Sequence, residues 1–280
     1  MCTGFQGPGS ISPRGFCVEG GSMRLHVLLA YETASLQQDM PSTHVIVLPE
    51  LFDRGYAALK HGDGIHSADD EYVGLFRDIS RRAHCTCIAG SLAIRDKHGS
   101  LANSSLVFRN GTCIHRYDKI HLFRPGGDTR YFRAGSSNKV FTVSLGGKRV
   151  RAGVIICYDL RFPELTRMLA QDGMQVLFVP ARWPVMRDDA WQTLLKARAI
   201  ENQIFTVGCN AQGKEGGYSY VFDPLGRLVM SSRRNPGAVS LDVRLDLDLI
   251  REAHALHKNL QDAVLLKKIR FPARSSRTAG

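Results

Sequence analysis

The pattern of hydrophobic and polar positions predicts strands and helices mixed along one domain. Short apolar runs rich in β-branched residues predict buried strands, at 23–31, 45–48, 85–94, 150–156, 176–180 and 205–209. Apolar positions at helical spacing, including Val73, Phe76 and Ile79, predict a helix at 70–84. Two further helices are expected at 162–171 and 188–203, and further strands at 218–222 and 228–231. The pattern therefore favours sheets covered by helices, with no internal repeat.

A turn sequence joins two of the predicted strands. Apolar runs at 101–108 and 112–117 flank Arg109-Asn-Gly111, a combination typical of a tight β-hairpin. Similarly, Asp223-Pro-Leu-Gly226 predicts a turn between the last two strands.

The two ends of the chain differ in composition from its middle. Residues 1–22 are rich in Gly and Ser and lack the apolar core of a signal peptide, so we expect a disordered extension, a misassigned start or a remnant of cloning. One domain is predicted at 23–265, followed by a basic tail at 266–280. The stretch between the first strand and His44 is short, which leaves little room for a long helix there.

Three apolar runs end on a reactive side chain. Cys157 follows the run at 150–156 and precedes Pro163, which suits the first turn of a helix. We expect a thiol on a sharp strand-to-helix turn, where a helix N-terminus favours the thiolate. The alternative is a small apolar residue that ends a strand.

The other two runs end on opposite charges. Glu50 lies between a predicted strand and two large apolar residues, so burial is expected to raise its pKa towards that of a general base. Lys119 follows a strand beside Ile120 and Leu122; alone, it reads as a surface residue with a buried stem. If the strand ends meet in one crevice, Glu50 can accept the thiol proton, Cys157 can attack a carbon, and the Lys119 ammonium can stabilise an oxyanion.

At these segments the chain resembles the nitrilase superfamily of carbon–nitrogen hydrolases, over residues 23–249. The motifs that carry the resemblance are Leu48-Pro-Glu-Leu-Phe52, Tyr117-Asp-Lys-Ile-His-Leu-Phe123 and Cys157-Tyr-Asp-Leu-Arg-Phe-Pro-Glu-Leu165. The resemblance implies a four-layer α-β-β-α sandwich, a Glu-Lys-Cys triad of Glu50, Lys119 and Cys157, and a homodimer or larger assembly formed through the helices at 162–171 and 188–203.

The cysteine motif is similar to that of the amidase branches. The most similar branch is the bacterial omega-amidases, which hydrolyse the side-chain amides of 2-oxoglutaramate and 2-oxosuccinamate. Its matching motifs are Ala181-Arg-Trp-Pro184, Trp191-Gln-Thr-Leu-Leu-Lys-Ala-Arg-Ala-Ile-Glu-Asn-Gln203 and Gly208-Cys-Asn210. Three alternatives remain: an amidase acting on deaminated glutathione or an N-carbamoyl compound, a non-catalytic binding protein on the same scaffold, and a Cys-His enzyme that uses His115 or His121.

The resemblance also assigns supporting roles. The backbone N–H of Tyr158 is expected to join Lys119 in holding the oxyanion. Asp128 stands where the family has a second glutamate, and its shorter side chain predicts a longer or water-bridged contact with Lys119. An ordinary turn residue is the alternative for Asp128.

A substrate carboxylate should meet a cation. The candidates are Arg161, Arg182 and Arg187, with Trp183 lining the pocket. Arg161 could instead pair with Asp159 or Glu164, and Trp183 could belong to the core.

Composition narrows the partners further. The net charge is +11, but the last thirty residues hold seven Lys or Arg and two acidic residues, without the interleaved aromatic residues that bind bases. We expect no nucleic-acid partner. No run is long enough to span a membrane. Seven cysteines without metal-ligand spacing indicate reduced thiols in a cytoplasmic protein, and no metal or organic cofactor is expected.

Overall fold

The computed structural model describes residues 23–31, 36, 43–145, 147–213 and 216–264. The predicted extension at 1–22, the basic tail at 266–280 and most of the segment before His44 lie outside the described residues. Within the described residues, no helix is long and apolar enough to cross a membrane.

The first sheet brings together strands from both ends of the domain. Its strands run in the order β14-β1-β2-β4-β6-β5-β3, and β7 also pairs with β6. Their bounds are β1 (Arg24–Ala30), β2 (Val45–Val47), β3 (Ile65–Ser67), β4 (Thr86–Ile88), β5 (Leu92–Arg95), β6 (Leu101–Arg109), β7 (Thr112–Asp118) and β14 (Ser240–Asp246). The strands β1, β2 and β4 are parallel, so their carboxyl ends lie at one edge.

The second sheet is built from the middle of the chain, in the order β13-β12-β11-β10-β9-β8. Its strands are β8 (Phe141–Leu145), β9 (Lys148–Val154), β10 (Val176–Ala181), β11 (Phe205–Asn210), β12 (Tyr220–Phe222) and β13 (Leu228–Ser231). The three strands β9, β10 and β11 are parallel, and their residues are almost entirely buried towards the carboxyl ends.

Helices pack against both sheets. They are α1 (Gly55–Leu59), α2 (Glu71–Arg82), α3 (Asp128–Tyr131), α4 (Pro163–Gln171), α5 (Asp188–Asn202), α6 (Asp248–Leu256) and α7 (Asn259–Asp262). Of these, α2 packs on β4 and β6, and α5 packs on β11 and β12. Alternate residues of β2 face opposite ways: Val45 and Val47 join the core between the sheets, whereas Ile46 packs with Phe76 of α2. Leu165 of α4 and other residues of α4 and α5 pack against the second sheet. The expected four-layer α-β-β-α sandwich is confirmed.

The hairpin prediction at 109–111 is correct. Asn110 and Gly111 both have positive φ, at 50° and 79°, as the tight turn between β6 and β7 requires.

The single strand predicted at 85–94 is wrong, because the chain breaks into β4 and β5 around Gly90. Gly90 has a φ of 36°, and a Cβ there would lie 1.9 Å from the Pro49 carbonyl oxygen. The break lets Ser91 donate its backbone N–H to that oxygen at 3.1 Å and accept one from Leu51 at 3.1 Å. The bend thus fixes the loop that carries Glu50.

Candidate active site

Glu50 lies three residues beyond the end of β2 and is 1% exposed. Its Oε1 accepts hydrogen bonds from Lys119 Nζ at 2.7 Å, Tyr56 Oη at 2.9 Å and Asn103 Nδ2 at 2.9 Å. The backbone N–H of Arg182, which follows β10 in the second sheet, donates to Oε2 at 3.1 Å. The carboxylate is therefore held by groups from both sheets, at the edge where the sheets meet.

The expected rise in the pKa of Glu50 is wrong. Burial does raise this pKa, but the Lys119 ammonium and the hydrogen bonds from Lys119, Cys157 and Tyr56 outweigh it, so the pKa lies below its ordinary value of 4.5. Glu50 is consequently ionised at neutral pH, which is the form a general base needs.

Lys119 lies one residue beyond β7 and is 1% exposed, so it is not a surface residue with a buried stem. Its Nζ contacts Glu50 Oε1 at 2.7 Å and Asp128 Oδ2 at 2.8 Å. Burial lowers the pKa of Lys119, but the negative charge of Glu50, together with Tyr56, Cys157 and Asp128, outweighs this effect and holds the pKa well above its ordinary value. The ammonium is the positive centre between two buried carboxylates.

Asp128 contacts Lys119 directly, so the expected longer or water-bridged contact is wrong. Gly127, with a φ of 90°, reverses the chain just before α3, and this turn brings the shorter side chain inward. Oδ2 also accepts the backbone N–H of Phe123 at 3.0 Å. The other oxygen, Oδ1, is buried without a hydrogen-bond partner among the described residues.

Cys157 begins a short 3-10 turn in the left-handed region, with a φ of 46°. Burial raises the pKa of its thiol well above the ordinary value, and the Glu50 carboxylate raises it further. The expected thiolate at a helix N-terminus is wrong, because α4 starts only at Pro163. The Glu50 carboxylate raises the pKa of the thiol, so the structure places a protonated sulfur near an ionised carboxylate.

Asp159 ties this turn to the strand that carries Lys119. It is fully buried. Its Oδ1 accepts the His121 backbone N–H at 2.8 Å and lies 2.8 Å from His121 Nδ1. Its Oδ2 accepts from Tyr117 Oη at 2.8 Å and from the Ile156 backbone at 3.0 Å.

A small cavity of about 40 Å³ opens onto the Cys157 sulfur. All four residues predicted to bind the substrate, Arg161, Arg182, Trp183 and Arg187, line it. Its lining consists of Phe123, Cys157, Tyr158, Arg161, Arg182, Trp183, Pro184 and Arg187. The space suits a small polar group rather than a bulky side chain.

The candidate arginines differ in their surroundings. The Arg161 guanidinium lies 4.8 Å from the centre of the Trp183 ring, and the Arg187 guanidinium lies 5.7 Å from that of Phe123. The Asp159 carboxylate is occupied by other donors, so Arg161 does not pair with it. Arg182 donates to the Leu51 carbonyl at 2.8 Å, which makes it a support of the Glu50 loop.

Trp183 belongs to both the core and the cavity wall, whereas Tyr158 is half-buried and lines the wall. Trp183 is 4% exposed, its ring lies 5.2 Å from that of Trp191 at a tilted angle of 32°, and its indole N–H donates to the Arg187 carbonyl at 3.0 Å. The Tyr158 ring lies 5.0 Å from Phe123.

Sequence reasoning missed Tyr56 and Asn103, two donors to Glu50, and the structural role of Asp159. Asn103 lies within a β6 run of buried polar residues, 103–105, that departs from an apolar strand pattern. That departure was the available signal. Among the described residues, no group of His, Cys, Asp and Glu is arranged to hold a metal ion.

Sequence comparison places this geometry among known proteins. The family profile "Carbon-nitrogen hydrolase" matches residues 22–255. The chain is 34% identical over 216 residues to a 2-oxoglutaramate amidase of Bacillus subtilis, covering 75% of this chain and 82% of that protein. It is 38% identical over 223 residues to the omega-amidase YafV of Yersinia enterocolitica, covering 77% and 82%.

Solved structures agree. XC1258 of Xanthomonas campestris, described as a CN-hydrolase superfamily protein with an arsenic adduct in its active site, matches with a TM-score of 0.75 at 26% identity. The match covers 85% of this chain and 97% of that one. Saccharomyces cerevisiae Nit3, of the nitrilase superfamily, shares the fold with a TM-score of 0.72 at 23% identity, over 92% of this chain and 97% of that one.

Proposed function

The chain belongs to the carbon–nitrogen hydrolase family of the nitrilase superfamily and is an amidase, and from that premise we propose that it hydrolyses the side-chain amide of a small 2-oxo acid through a thioester on Cys157. The substrates are 2-oxoglutaramate and 2-oxosuccinamate, which give a 2-oxo dicarboxylic acid and ammonia. Relatives named 2-oxoglutaramate amidase and omega-amidase support this choice.

One observation carries the mechanism: Glu50 contacts Lys119 at 2.7 Å in a buried cluster, and its charge adds to burial in raising the pKa of the Cys157 thiol. With Glu50 ionised and the thiol protonated, the resting site is ready for a single coupled step. The thiol proton passes to Glu50 as the sulfur bonds to the amide carbon. The carbonyl electron pair moves to oxygen, where the Lys119 ammonium and the Tyr158 backbone N–H hold the oxyanion.

The remaining steps of the reaction return Glu50, Lys119 and Cys157 to their starting protonation states. As the oxyanion collapses, the C–N bond breaks and the nitrogen takes the proton from Glu50, so ammonia leaves and a thioester remains. Water then attacks the thioester carbon while Glu50 accepts a water proton. The C–S bond breaks, the sulfur recovers the proton, and the product leaves as a carboxylic acid.

The surroundings of Glu50 favour this order of events. A lowered pKa makes it a weak base towards a buried thiol, so formation of a free thiolate is unfavourable. Proton transfer becomes favourable when the new negative charge forms on the substrate oxygen beside Lys119. The reaction is thereby tied to the presence of an amide.

Ammonia release from a substrate panel tests the proposed function. We expect turnover of 2-oxoglutaramate and 2-oxosuccinamate, and little from glutamine, which carries an ammonium in place of the keto group. Turnover confined to deaminated glutathione or to N-carbamoyl compounds would overturn the substrate assignment and leave the reaction class intact.

Arg161 is the proposed partner of the substrate carboxylate, because its guanidinium lies on the cavity wall against Trp183. We expect Arg161→Gln to raise KM for 2-oxoglutaramate roughly ten- to a hundredfold with a smaller change in kcat, since a charged hydrogen bond is lost. Steady-state kinetics measures both. Arg187→Gln is the matched control, and a KM rise only in that control would transfer the role to Arg187.

Asp159 is a proposed positioning residue, since it joins the Ile156–Cys157 turn to the segment after β7. Asp159→Asn replaces one carboxylate oxygen by an NH₂ group, which cannot accept the hydrogen bond that the backbone N–H of His121 or Ile156 now donates. We expect kcat to fall by about 10²-fold with KM little changed, because small misplacements of reacting groups cost that much. The rate of Cys157 alkylation by iodoacetamide should change in parallel.

Thermal melting must show that the Asp159→Asn protein is folded, and the exposed Asp172→Asn serves as its control. A normal kcat in the folded variant would leave Asp159 without a role in positioning.

We also propose that the protein forms a homodimer. Met168 on α4 and Ile200 on α5 are 40% and 42% exposed, which supports a homodimer formed through these helices. Sedimentation of the wild type against a Met168→Glu/Ile200→Glu variant tests it, and an unchanged mass would contradict this interface.

A further inference from the structure

A second cavity, of about 300 Å³, lies between α1 and the segment at 124–131. None of its lining residues is shared with the Cys157 cavity. Three cations line it, Lys60, Arg124 and Arg130, together with the rings of Tyr56 and Tyr131. Its volume falls at the lower end of small-molecule sites.

The charge of this cleft is uncompensated. No acidic residue lines it, and in the described part of the chain the three cations form no ion pair. Other exposed arginines do pair, as Arg81 does with Asp78 and Arg251 with Asp248. The nearest carboxylate along the segment, Asp128, is fully buried and points to Lys119 instead.

We propose that this cleft binds a small multivalent anion, a di- or tricarboxylate or a phosphate-bearing metabolite, separate from the amide substrate. Arg124 and Arg130 can each present two N–H groups to one carboxylate or phosphate, and Lys60 adds a third positive charge. The two tyrosine rings supply an apolar wall, and Tyr131 adds a hydroxyl donor. Repulsion among three neighbouring cations is relieved when such an anion binds.

The walls of the cleft also hold the buried charge cluster. Tyr56, on one wall, donates its hydroxyl to Glu50 at 2.9 Å. Arg130 and Tyr131, on the other, belong to α3, which begins at Asp128, the second carboxylate on Lys119. An anion that draws α1 and α3 together therefore acts on both carboxylates that hold the ammonium, and we expect its binding to change kcat.

Isothermal titration calorimetry tests the site, with citrate and inorganic pyrophosphate as probes at constant ionic strength. We expect saturable binding to the wild type. In Arg124→Gln/Arg130→Gln the dissociation constant should be at least tenfold higher. Lys148→Gln/Arg149→Gln removes the same charge from the exposed start of β9 and should bind like the wild type. Equal binding by both double variants, or no saturable binding by the wild type, would overturn the proposal.

Two further readouts separate the alternatives. Tighter binding of citrate assigns the site to carboxylates, and tighter binding of pyrophosphate assigns it to phosphates. In ammonia-release assays the preferred probe should alter kcat and leave KM for the amide unchanged. Purely competitive inhibition would place the anion in the substrate cavity and overturn a separate site. Calorimetry requires no turnover, so failure of the proposed amidase substrate leaves this test intact.

Discussion

Cys157→Ala is expected to lower ammonia release from 2-oxoglutaramate by about 10⁴-fold or more, since no thioester can form without the sulfur. The other groups of the site would remain, so substrate can still bind in the cavity that Arg161 and Trp183 line. Ammonia is measured with a coupled dehydrogenase assay. In parallel, hydroxylamine should intercept the thioester of the wild-type protein alone, releasing the acyl group as a hydroxamate that mass spectrometry detects and regenerating the Cys157 thiol.

Cys113→Ala is the matched control, because this thiol is exposed on β7 and away from the cluster. Its turnover should equal that of the wild type. If Cys157→Ala retained substantial activity, another group would have to attack the amide, and the assignment of Cys157 as the nucleophile would be wrong.

The sequence predicts that Glu50, Lys119 and Cys157 each lie after a strand. Glu50 and Cys157 follow buried apolar runs, whereas the strand before Lys119, β7, is mostly exposed or half-buried. The route by which they meet could not be predicted. Glu50 and Lys119 follow β2 and β7 of the first sheet, whereas Cys157 follows β9 of the second. A single crevice in one open sheet was the expectation, but the site forms where the edges of two packed sheets coincide.

Electrostatics explains the remaining errors. The pKa of Glu50 depends on Lys119, 69 positions away in sequence, and on Tyr56, whose orientation requires α1. Burial could be inferred from the neighbouring residues, whereas the charged partner that reverses its effect on the pKa could not.

Strand β14 was missed for a different reason. Its burial alternates on one face only, and its pairing partner β1 lies more than two hundred residues earlier.

Lys119→Met is expected to lower turnover by about 10²–10³-fold or more, because the main oxyanion donor is lost. The variant should also lose roughly 3–5 kcal/mol of unfolding free energy at neutral pH, since breaking a buried ion pair strands its partners. Here Glu50 and Asp128 would be left without the cation between them. Ammonia release and chemical denaturation measure the two effects. The exposed Lys97→Met is the control and should change neither.

The pH dependence of that loss gives the sharper test. In the wild type the folded-state pKa of Glu50 lies below its ordinary value of 4.5, so its ionisation contributes stability above that pH, and this contribution is lost as the pH falls. In Lys119→Met only the hydrogen bonds would oppose burial, which raises the pKa, so the ionised carboxylate costs stability at neutral pH and protonation relieves it. The difference in melting temperature between the two proteins should therefore narrow from pH 7 towards pH 4. A difference that stays constant over this range would mean that Lys119 does not stabilise an ionised Glu50, and the charge states on which the mechanism depends would be wrong.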